Sequence, residues 1–199
     1  MLVVLYWFLG ALCLIFFLSE EFQSFNKKFD TKRSLIFGAA FIIVIFNLFV
    51  YNKSTDFGNR PFDPISFVIF GLFNGVLETA LFLTAFKLGE MFMSNYTQNK
   101  WLLFFAGLLM FMVYGGISHG GFWLYEFPPH LPADPSKMTY KVFFMPVQLA
   151  LTISWSVMYF LYRDFWGISF LHILVDLNVV YSIHYSIFSK SLSFQHYFG

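Results

Sequence analysis

The 199-residue chain is 58% hydrophobic, 24% aromatic and only 12% charged. A soluble domain has about a quarter charged residues, so a surface facing water all round is excluded. The net charge of +1 leaves no basic footprint for nucleic acid, and the single cysteine, Cys13, excludes an internal disulfide and a multi-cysteine zinc site. The first apolar run, Leu2 to Leu18, has no basic segment before it and no small-residue cleavage site after it. It reads as a retained transmembrane helix. Bulky Leu12 before Cys13 argues against a lipoprotein signal and leaves Cys13 as an ordinary helix residue.

After the polar loop "SEEFQSFNKKFDTKR" come five more apolar runs: Ser34 to Tyr51, Ile65 to Leu88, Trp101 to Ser118, Val142 to Tyr162 and Trp166 to Phe188. A spanning helix needs about 20 apolar residues. The pattern predicts one all-α domain over residues 1–199, a polytopic integral membrane bundle of about six transmembrane helices in contact with the lipid bilayer. Lys27, Lys28, Lys32 and Arg33 crowd the first loop, which places it in the cytoplasm and both termini outside. Trp101 and Trp166 then mark cytoplasmic helix ends.

Ionisable groups inside such runs cost about 2.5–3.5 kcal/mol at a helix centre, and they face the bundle interior and carry a partner or a task. Glu78 shares a helix face with Gly71, Asn74 and Gly75, small or polar residues that let a neighbouring helix come close. His119 follows Gly115 and Gly116, which the same reasoning assigns to close helix contact. His172 and Asp176, in "LHILVDLN", lie one turn apart, so the carboxylate can orient the imidazole or share a ligand with it. Glu78 and His172 fall roughly 12–17 Å from the cytoplasmic side, and His119 about 27 Å from it. His184 lies about 80° round its helix from Asp176, outside that site. His130 and His196 belong to polar segments. Each intramembrane group also has a plain packing reading, as hydrogen-bonding glue between helices.

The order Glu, His, then His-x-x-x-Asp, each in a membrane helix, resembles the CPBP intramembrane proteases, which include CAAX prenyl endopeptidases and bacteriocin-processing or immunity proteins. In "ETALFL", Glu78 and Phe82 match the first motif, Glu-Glu-x-x-x-Arg with its usual Phe before the Arg. His119 is the candidate for the second, and "HILVDL", with His172 and Asp176, for the third. The separations of 41 and 53 residues are similar to the family's, and the likeness covers about residues 65–188. Thr79 stands in place of the second glutamate, Leu83 in place of the arginine, and Gly115 where a Phe precedes the His.

The resemblance implies a glutamate-dependent endopeptidase acting on a peptide near the cytoplasmic face. Glu78 would be the base, His119 a stabilising donor, and His172 with Asp176 the rest of the catalytic pocket. No cofactor is required, and a divalent metal is compatible. Thr79, unable to act as a base, is expected to contribute little. Two other functions fit the sequence: a non-catalytic scaffold or assembly protein with a membrane-protein partner, and a haem or pigment protein using His119 and His184. Asn52 and Asn95 begin glycosylation-type triplets, which matter only in a secretory lumen.

Overall fold

The computed structural model describes residues 2–23, 30–121 and 135–188. Among them every regular element is helical: α1 (Leu2–Phe16), α2 (Ser19–Gln23), α3 (Thr31–Ser54), α4 (Pro64–Ser94), α5 (Lys100–Gly121), α6 (Phe144–Tyr162) and α7 (Phe165–Ile183), with a 3-10 stretch at Pro135–Phe143 leading into α6. All six apolar segments of the sequence fold as helix. Five are long and apolar enough to cross a membrane: α3, α4, α5, α7 and the continuous Thr139–Tyr162. The protein is thus an all-α bundle of the integral membrane kind. The first helix has 15 residues, or about 22 Å at 1.5 Å per residue, against a hydrocarbon core of about 30 Å.

Short polar side chains set the helix starts. Asp30 caps α3 by accepting from the Arg33 amide, and Asp63 caps α4 at the Ile65 and Ser66 amides with Pro64 at the first helical position. Such residues satisfy amides that have no partner inside the helix. Asp164 does the same for α7 through the Gly167 amide, while Arg163, left-handed at φ 49°, ends α6. Two residues therefore connect α6 to α7. The last run ends earlier than its hydropathy predicts, because His184 adopts φ 48° and closes α7.

α4 is the central helix, packed against α7, α5 and α1, while α3 lies against α6 and α7. Its interior face carries Asn74, Glu78 and Thr79 among apolar neighbours. Outward residues such as Leu35, Ile42 and Leu109 are exposed and apolar, as a lipid-facing surface requires. One end of the bundle collects three ion pairs: Arg33–Asp164, Arg163–Glu90 and Lys87–Glu21. Arg33 and Asp164 are both buried and doubly hydrogen-bonded, at 2.6 and 2.9 Å. Arg33 is thus neutralised by a partner, although the sequence reading counts it as a free positive charge for orientation. Lys27 and Lys28 lie outside the described residues. Trp101 is exposed at the start of α5, and Trp166 donates its indole N–H to the Phe22 carbonyl at 2.8 Å.

Candidate functional site

Gly71 and Gly75 bring α7 against α4. A Cβ at Gly75 would sit 2.7 Å from the Ile173 backbone, and one at Gly71 would collide with Leu177. That approach places Glu78 of α4 beside His172 and Asp176 of α7, all three buried. His172 Nε2 is 3.4 Å from Glu78 Oε2 and 3.7 Å from Asp176 Oδ2.

Hydrogen bonding fixes which imidazole nitrogen carries the proton. The Thr79 hydroxyl donates to the Gly75 carbonyl at 2.6 Å and lies 3.0 Å from His172 Nδ1. A hydroxyl has one hydrogen, so Thr79 accepts and His172 Nδ1–H donates. Nε2 then faces the two carboxylates. Thr79, expected to contribute little, is the residue that sets the His172 tautomer.

Four further contributors are polar atoms on helices whose sequences look merely apolar. Tyr6 of α1 donates to Glu78 Oε1 at 2.7 Å and contacts Ser118 of α5 at 2.7 Å, with Ser118 also 3.3 Å from Oε1. Asn74 donates to Glu78 Oε2 at 2.5 Å and to Asp176 Oδ2 at 3.1 Å. Its carbonyl oxygen accepts the Trp7 indole N–H at 2.9 Å. Indole only donates, so Trp7 dictates the amide's orientation and turns its N–H groups toward the carboxylates. Asn74 was recognisable from its shared face with Glu78. Tyr6 and Trp7 gave no signal, being two aromatics in an aromatic-rich helix.

Glu78, His119, His172 and Asp176 line one cavity of ≈ 40 Å³, together with Asn47, Tyr51 and Gln148 and the apolar Phe70, Val175 and Val179. A water needs about 10–15 Å³ of such space. Tyr51 is buried there, with no hydrogen-bond partner for its hydroxyl among the described residues.

The depth mismatch foreseen for His119 disappears because α4 continues to Ser94, so Glu78 lies about 24 Å from its end and His119 about 28 Å from the start of α5. His119 stands at the cavity's edge, outside the carboxylate cluster. Its ring and that of His172 are both near-parallel to Phe82, with centroids 5.7 and 5.6 Å away. His119 Nδ1 donates to the Gly115 carbonyl at 2.7 Å; a carbonyl only accepts, so Nε2 carries no proton in the neutral ring. The glycines before it do not serve close helix contact. A Cβ at Gly116 meets nothing within 4 Å, and one at Gly115 only ordinary contacts from 3.8 Å. They border a second, apolar cavity of ≈ 460 Å³ between α5 and α6.

One imidazole nitrogen and two carboxylates, with ligand atoms within 4.8 Å of one another, make a donor set that fits a divalent metal. Two buried carboxylates also need a cation, shared protons or strong donors beside them. Glu78, His172 and Asp176 are the residues that would hold the ion. His184 lines neither cavity; it stacks on Phe57 at 4.0 Å and bonds the Arg60 carbonyl. His130 and His196 lie outside the described residues. No family model, curated protein or solved structure matches the chain.

Proposed function

We propose that the protein is a membrane hydrolase similar to the CPBP proteases, a glutamate-dependent endopeptidase acting on a peptide. The observation that carries this reading is the meeting of Glu78 with His172 and Asp176 at the wall of a buried cavity with room for water. In this scheme Glu78 takes a proton from water and the resulting hydroxide attacks the peptide carbonyl; the tetrahedral adduct then breaks its C–N bond, and the leaving amine takes the proton from Glu78. Thr79 holds the His172 ring by accepting from Nδ1–H, and Asn74 holds both carboxylates in place.

Oxyanion stabilisation needs a donor. The His119 Nδ1–H is committed to Gly115, so His119 donates through Nε2 only as an imidazolium. Gln148 lines the same cavity and offers a neutral N–H₂, so we assign it the donor role beside His119. A divalent metal held by Glu78, His172 and Asp176 would supply Lewis-acid polarisation of water. The end bearing the three ion pairs is assigned to the cytoplasmic face; cysteine labelling at Gln98 from the inside only is the expected result.

The non-catalytic scaffold reading keeps one observation in its favour. Both Glu78 oxygens already accept protein donors, Tyr6 on one and Asn74 on the other, as a packing residue would. New peptide N-termini formed in proteoliposomes by the natural protein, and missing with Glu78→Gln, distinguish the two. Equal N-termini in both samples would remove the hydrolase reading.

A further inference from the structure

We infer that the chamber between α5 and α6 binds a long-chain fatty amide, with its hydrocarbon chain in the chamber and its neutral carbonyl end at Gln148 and Trp155. The choice of an amide rests on the endopeptidase reading; the chain site itself does not. At ≈ 460 Å³ the chamber is about three times the size of an engineered apolar cavity of about 150 Å³ that holds one benzene. Its walls include Phe82, Phe111 and Leu151. Met112, Met145 and Leu149 line it and are 41, 75 and 44% exposed, so this wall is open to the surroundings, where a membrane protein meets acyl chains.

Glycine weakens a helix relative to alanine. At Gly116 and Gly120 no close neighbour demands it, since a Cβ there meets nothing within 4 Å among the described residues. What the missing side chains leave at these two positions is the chamber's volume.

The inner end is polar. Gln148, His119 and His172 line both this chamber and the carboxylate cavity. Trp155, 4% exposed on the chamber wall, has an indole N–H with no hydrogen-bond partner among the described residues. A buried donor of this kind calls for an acceptor oxygen. The donors at this end, the Trp155 indole N–H and the Gln148 amide, are neutral, which suits the neutral carbonyl of an amide. The mostly apolar walls offer few partners for peptide groups, which selects a hydrocarbon chain over an extended peptide.

The test uses the full chain in phosphatidylcholine vesicles with a trace of 16-carbon fatty amide bearing a photoactivatable diazirine in its chain. Adducts are expected within residues 111–120 and 144–155. Gly116→Leu should lower their yield at least five-fold and Gly116→Ala less, with melting temperatures unchanged. Gly38→Leu on α3, where a Cβ also meets nothing within 4 Å, should leave the yield unaltered. Turnover of a peptide that carries no lipid chain is measured on the same samples, so a failure of hydrolysis and a failure of binding are told apart. If Gly116→Leu does not fold, the Gly116→Ala and Gly120→Ala pair carries the test. The inference is overturned if filling the chamber leaves labelling unchanged, if the matching fatty acid labels as strongly as the amide, or if a chain-labelled phosphatidylcholine gives the same adducts.

Discussion

Two seams of this bundle use glycine in opposite ways. Along α4 and α7, Gly71 and Gly75 are pressed against Leu177 and Ile173, so that an added methyl has no room. Along α5 and α6, Gly116 and Gly120 face open space. The first seam is tight and brings carboxylates and imidazole together; the second is loose and leaves a chamber. Glycine in a membrane helix thus marks either contact or vacancy, and the spacing of small residues does not tell which. The same substitution on the two seams separates them most widely. Gly75→Leu should destabilise by about 3 kcal/mol, the cost of overpacking against backbone, whereas Gly116→Leu should stay within about 0.5 kcal/mol. Thermal melts in detergent check both.

Within the tight seam, polar atoms hold the carboxylates, and Asn74 is the strongest holder. Asn74→Leu removes a donor shared by Glu78 and Asp176 and leaves the Trp7 indole without its acceptor. The expected loss is about 1.5–3 kcal/mol, as for hydrogen bonds to charged groups, read as a lower melting temperature. Thr79→Val keeps the shape but removes the acceptor for His172 Nδ1–H. About 1 kcal/mol should go with it, and the imidazole resonances in NMR should report a changed tautomer. An unchanged tautomer would show that Thr79 does not set it.

The charged end of the bundle, away from both seams, supplies the mildest perturbation. Burial pushes the Glu21 carboxyl up, but Lys87, its own backbone N–H and Tyr159 together hold it below the usual carboxylate range. A lowered folded value means that the stability is present above the unfolded carboxylate pKa and lost as pH falls through the folded one. Lys87→Met should therefore flatten part of the acid dependence of the melting temperature. The effect at neutral pH should be under about 1 kcal/mol, because the pair is partly exposed.

Much of the site's core was legible in the sequence, because Glu78, His172 and Asp176 are conspicuous where charge is expensive. The helical class followed from the apolar runs, which reach spanning length in five of the six cases. Tyr6 and Trp7 were not legible, since a polar-tipped aromatic in an apolar helix looks the same whether it faces lipid or a carboxylate. Thr79 was misread because its hydroxyl was judged as a base instead of as an acceptor. Gln148 was hidden for a similar reason: an uncharged amide in an apolar run raises no alarm until a cavity forms beside it. Gly115 and Gly116 were assigned to helix contact, and only the position of α6 shows the vacancy they face.

The most direct test of the central claim compares Glu78→Gln with the natural protein in proteoliposomes, measuring peptide-bond turnover and melting temperature on the same samples. The amide keeps the shape of the carboxylate and its carbonyl oxygen still accepts a hydrogen bond, but it cannot take a proton from water. If Glu78 is the base, turnover should fall about 10²–10⁴-fold, the usual contribution of general-base catalysis, while the melting temperature changes by only a few degrees. Undiminished turnover in Glu78→Gln, alongside loss of function in Gly75→Leu, would contradict the claim and leave the cluster as packing.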